Sequence, residues 1–114
     1  MDLQQLQACL LAKPGAVLEF PFDPVTEVYK VGGKMFALLM PDVGPAWLNL
    51  KCQPEKAEVL RHVFPAVRPG YHMHKRHWNT VVLDGSVPDD DLQAMIDDSY
   101  ALVVAGLPRA RRPA

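Results

Sequence analysis

The stretch EVYKVGGKMFALLMPDVGPAWLNLK, residues 27–51, decides the fold. EVYKV and KMFALLM flank Gly32-Gly33, and paired glycines accept the positive φ angles that a two-residue hairpin turn requires. PDVGP marks a second turn. AWLNLK then alternates, with Ala46, Leu48 and Leu50 directed to a core and Trp47, Asn49 and Lys51 to solvent. Such alternation predicts an antiparallel sheet with one face covered. VLEFPF (17–22) reads as one more short strand ahead of the hairpin.

Helices frame this sheet. Asp2 and Gln5 have the spacing of a capping box, and Leu3, Leu6, Leu10 and Leu11 follow helical periodicity until Pro14-Gly15 ends it. Pro54 suits a first helical position, with Glu55 and Glu58 in the opening turns. Ala57, Leu60 and Phe64 form the buried stripe of this second helix, which Pro65 terminates. Residues 66–75 carry no period and read as loop. WNTVVL (78–83) is a β-branched strand closed by Asp84-Gly85. A third helix starts at Pro88-Asp89, where Asp89, Asp90 and Asp91 complement the helix dipole. Leu92, Met95, Ile96, Ser99, Tyr100 and Val103 face inward, and Gly106 and Pro108 end the helix.

The expected architecture is therefore α+β: a two-layer domain with an antiparallel sheet of about five strands and three helices, in the order α-β-β-β-β-α-β-α. Residues 1–107 form one domain, and 108–114 a frayed basic tail. At 114 residues the chain can bury one modest core, and 49% hydrophobic with 22% charged residues excludes a disordered polymer. The longest uncharged apolar run, residues 35–40, is too short for a bilayer. The N-terminal segment has an acid where a signal peptide would have bases, so a cytoplasmic protein is expected. Cys9 and Cys52 are not spaced as C-x-x-C, which leaves two reduced thiols and neither a redox centre nor a zinc knuckle.

The net charge of −1 conceals segregation. Six lysines and arginines face two glutamates over residues 51–78, whereas residues 79–104 hold six aspartates and no base. The basic stretch contains RPGYHMHKRHW (68–78), with three of the four histidines. In an extended segment His72 and His74 share a side and His77 does not, while Lys75 and Arg76 repel a cation, so a metal site is disfavoured. Catalysis by a histidine with Asp84 is also disfavoured, because Asp before Gly bonds its own backbone in a turn. No nucleophile elbow, phosphate loop or dinucleotide fingerprint occurs. Nucleic-acid contact uses more of these residues together. Lys51, Arg68, Lys75 and Arg76 would neutralise phosphates, and Tyr71, His72, His77 or Trp78 would stack or bond beside them.

Five segments, AKPGAVLEFPF (12–22), YKVGGKMFAL (29–38), LNLKCQPE (48–55), VRPGYHMHKRHWNTVVLDG (67–85) and VPDDDLQAMIDDSYALV (87–103), together resemble the MmcQ/YjbR family of small bacterial proteins. The resemblance implies a two-layer α+β domain akin to secretion-chaperone-like and frataxin-like arrangements. Members are commonly labelled DNA-binding because their hairpins and helices look like a double-wing motif, and no enzymatic activity or cofactor comes with the family. Tyr71, His72, Met73, Lys75, His77 and Trp78 fall on its signature positions. His74 departs from it, since the family often has Asn there. The expectation is thus a non-enzymatic, cofactor-free cytoplasmic monomer that binds DNA weakly and contacts no membrane. The alternative is a protein-interaction or chaperone-like module without nucleic-acid binding.

Overall fold

The computed structural model describes residues 1–114 except Val43, His72 and Ala114. The sequence readings for these three (a residue of the PDVGP turn, a site residue and the end of the tail) lie outside the described residues. In chain order the elements are α1 (Leu3–Leu11), β1 (Val17–Glu19), β2 (Glu27–Val31), β3 (Lys34–Met40), β4 (Trp47–Lys51), α2 (Pro54–Val63), β5 (Val67–Pro69), β6 (Trp78–Val82) and α3 (Asp89–Ala105). A short 3₁₀ turn, Arg109–Arg111, follows. The strands form one sheet in the order β1-β2-β3-β4-β6-β5, with every neighbouring pair antiparallel. This is the expected α+β domain with one strand more than the sequence indicated. The extra strand, β5, lies in the segment read as loop; three residues are too few to show a period, and its pairing with β6 is non-local.

The local signals act as expected at most element ends. The Asp2 carboxylate accepts from the Gln5 amide at 2.7 Å, and Gln5 Oε1 accepts from the Asp2 amide at 2.9 Å. Gly32 and Gly33 take φ values of 57° and 83° in the β2–β3 turn. The main core lies between the inner sheet face and the helices, and includes Leu6, Leu10, Phe36, Leu39, Leu48, Val81 and Ile96. A bulge shifts the β2–β3 register between Tyr29 and Lys30, and the last registered β3–β4 pair is Ala37–Leu50. Beyond it Ser99 of α3 bridges the two strands, accepting from the Lys51 amide (2.8 Å) and donating to the Phe36 carbonyl (2.6 Å).

Two expectations fail. Asn49, assigned to the solvent side by strand alternation, is 1% exposed. The outer face is covered there: Val28, Leu38 and Trp78 form a second apolar cluster with Met35 and Met73 packed on it. The tail is not frayed through Arg112, whose guanidinium donates to the Leu107 and Ala105 carbonyls at 3.0 and 3.1 Å. Leu107 itself is buried in the main core. Among the described residues no helix is long and apolar enough to cross a membrane.

Candidate nucleic-acid interface

Residues 74–77 form a hydrogen-bonded turn that leads into β6. The His74 carbonyl accepts from the His77 and Trp78 amides (3.0 and 2.9 Å), and the Cys52 amide donates to the His77 carbonyl at 2.8 Å. Arg61 of α2 braces the turn from behind. Its Nε donates to Asn79 Oδ1 at 2.6 Å, and its Nη2 donates to the Trp78 carbonyl at 3.3 Å and to the Lys75 carbonyl. These bonds consume backbone groups, so the side chains of His74, Lys75, Arg76 and His77 remain exposed. The His74 and His77 rings lie 4.9 Å apart, tilted by 44°.

Sheet register brings Lys51 to this turn, because Lys51 is the partner of Trp78 across β4 and β6. Lys34, at the start of β3, joins them. Lys34, Lys51, Trp78, Leu102 of α3 and Gly106 just beyond that helix line one open groove of about 310 Å³. The tail is adjacent, since a Cβ placed on Gly32 would lie 2.9 Å from the Arg111 carbonyl oxygen. Arg76 faces a separate cleft with Gln53, Pro54 and Glu55 at the start of α2.

Four carboxylates are held in ion pairs with other cations. Lys13 pairs with Asp97, Lys56 with Asp98, Lys30 with Glu19 at 3.0 Å, and the N-terminal ammonium with Asp89 at 2.6 Å. The Lys13 bond, with help from Gln93, holds the Asp97 carboxyl below its ordinary value, and the Asp98 bond raises the Lys56 ammonium. Among the described residues Lys34, Lys51, Arg68, Lys75 and Arg76 form no ion pair within 4.0 Å. Lys75 Nζ reaches only a neutral acceptor, the Gly70 carbonyl, at 3.5 Å.

Not every residue singled out in the sequence joins this end. Arg68 lies on β5 opposite Thr80, and its charge acts on Asp84. Bonds from the Ser86 hydroxyl and amide, then that charge, hold the Asp84 carboxyl low, so Asp84 serves its own turn. Tyr71 packs edge-on against Trp47, ring centroids 5.2 Å apart, at the opposite end of β4 from Lys51. Trp78 is only 9% exposed and packs in the outer cluster. His72 is outside the described residues, and among those described no group of three His, Cys, Asp or Glu could hold a metal ion. Cys9 and Cys52 are free thiols, and burial pushes the Cys52 thiol up. Lys34 is the residue that sequence reasoning missed. Its only local signal was its place directly after the paired glycines.

The fold and this edge define a small two-layer α+β protein with Lys34 and Lys51 in one groove beside an exposed turn that carries His74, Lys75, Arg76 and His77. The chain belongs to the YjbR family, whose profile matches residues 11–102. It is 38% identical over 112 residues to the uncharacterized protein YjbR of Escherichia coli strain K12, covering 98% of this chain and 95% of that one. The uncharacterized protein YbdF of Escherichia coli O157:H7 is also 38% identical, over 94% of this chain and 91% of its own length. Among solved structures, the Deinococcus radiodurans protein DR2400 superposes with a TM-score of 0.89 at 39% identity, covering 96% of this chain and 83% of that one. A Pseudomonas syringae protein superposes with a TM-score of 0.79 at 31% identity, over 90% and 99% of the two chains.

Proposed function

We propose that the chain is a non-catalytic nucleic-acid-binding domain whose basic end engages the phosphate backbone. One observation carries this reading: Lys34 and Lys51 share a groove that reaches Trp78, Lys75 and Arg76 lie exposed on the turn just ahead of Trp78, and none of the four has a carboxylate partner among the described residues. A cation already paired with a carboxylate must break that pair before it meets a phosphate, whereas these need not. Phosphate neutralisation then releases counterions from the nucleic acid, which drives association. The exposed His74 and His77 rings supply bonds to phosphate or stacking on a base, in place of Tyr71, which lies at the other end of β4, and the buried Trp78. The double-wing likeness of the family points the same way, as analogy. With about four phosphate contacts, affinity is low and sequence preference slight.

Fluorescence anisotropy of short labelled duplexes at low salt tests this. Replacing Lys51 and Arg76 together with alanine weakens binding equally for every sequence and reduces the salt slope by about 2. Arg68→Ala, remote from the hairpin, has a much smaller effect. Absence of binding by the wild type at low salt, or a double variant indistinguishable from it, removes the proposal.

A further inference from the structure

The outer sheet face holds a second feature that the basic end does not use. A half-open groove of about 330 Å³ lies between the β1–β2 connection and the segment after β5. Phe22, Leu38, Met40, Tyr71 and Met73 form its walls, and Asn49 its floor. Its volume is that of small-ligand sites rather than of a peptide-binding channel. Phe22 is 62% exposed on one rim, while Tyr71 on the other is braced by Trp47.

The floor carries the chemical information. Asn49 is 1% exposed, in the middle of β4 between Leu48 and Leu50. The Tyr71 amide donates to Thr80 Oγ1 at 2.9 Å, and Thr80 Oγ1 donates to Asn49 Oδ1. That chain commits the amide oxygen and thereby orients the Asn49 nitrogen. Among the described residues Nδ2 donates to nothing, and no fully enclosed side-chain nitrogen or oxygen lacks a partner. Nδ2 is therefore the atom that opens onto the groove. A donor opening into a largely apolar groove favours a ligand that brings an acceptor to it over one of the same shape that does not. On the rim, Asp23 is bonded by the Thr26 amide and hydroxyl and by the Val25 amide, which hold its carboxyl below the ordinary value. It stays anionic at neutral pH and disfavours an anion beside it.

From this geometry we infer that the outer groove is a binding site for a small, flat, uncharged molecule, largely apolar, whose carbonyl oxygen accepts from Asn49 Nδ2. Aromatic and thioether walls suit a flat apolar body, and one donor at the floor sets its orientation. The site is separate from the basic end, so it stands or falls independently of nucleic-acid binding.

Acetophenone and ethylbenzene, matched in shape and differing in the carbonyl, are suitable probes. In ¹H–¹⁵N spectra of the labelled chain, acetophenone shifts the Asn49 side-chain amide pair and binds about tenfold more tightly than ethylbenzene. Phe22→Ala, an exposed change that leaves the core intact, weakens acetophenone about fivefold. Asn49→Leu, where it folds, abolishes the preference between the probes. The inference is overturned if the Asn49 pair does not respond to acetophenone. It is also overturned if both probes bind equally, which would make the groove an unspecific apolar surface of the kind a protein partner covers.

Discussion

The hydroxyl of Ser99 sits where β3 and β4 stop pairing, and it serves as acceptor for the Lys51 amide and donor to the Phe36 carbonyl. Removing it leaves the buried Phe36 carbonyl and the part-buried Lys51 amide without this partner. Ser99→Ala is expected to cost about 1–3 kcal/mol, read as a lower urea midpoint with an unchanged slope. The helical period assigned Ser99 to the inward face, but nothing local showed which backbone groups it would meet. Asn49 teaches the converse. Strand parity placed its side chain on the outer face correctly, yet that face is covered by Met73 and the segment around Tyr71, which arrive from more than twenty positions away. Parity reports direction, and burial depends on what the rest of the chain brings.

Among the elements, the β2–β3 hairpin is the one most completely written in local sequence. Both glycines take positive φ, but their surroundings differ. A Cβ at Gly32 would lie 2.6 Å from Leu107 Cδ1 and 2.9 Å from the Arg111 carbonyl, whereas one at Gly33 meets nothing within 4 Å. Gly33→Ala should therefore cost only the left-handed backbone strain, about 1–2 kcal/mol. Gly32→Ala adds overpacking against the tail, for a total of about 2–4 kcal/mol. Thermal or urea unfolding of the two variants side by side checks the order, and equal losses would mean the tail does not rest on the hairpin. Helix ends were equally legible, because the Asp2–Gln5 box, Pro54 and the three aspartates of α3 act within one turn. β5 was not, since Val67–Pro69 earns its place only by pairing with β6.

Across the whole molecule, stability and charge both follow from the sheet. Tyr29 is buried in the core and donates to Glu27 Oε1 at 2.6 Å. Burial first, then the bond to Glu27 and its charge, raises the Tyr29 phenol above its ordinary value of 10.0. The neutral phenol is thus favoured in the folded state, so its contribution is complete below that value and is lost as pH climbs past it. Urea midpoints are expected to hold at about pH 8 and to fall towards pH 11, with a shallower fall in Tyr29→Phe. The charge pattern was half visible in the sequence: the basic stretch 51–78 stood out, but the union of Lys34 with Lys51 required the strand order β3-β4-β6. The same order separates Arg68 and Tyr71 from that end. The most direct test of the proposed function is the affinity for duplex DNA across a salt series. Four unpaired cations predict a slope of log K against log salt of about −3 to −4 for any duplex sequence. Binding that ignores salt, or no binding at the lowest salt, would contradict the proposal.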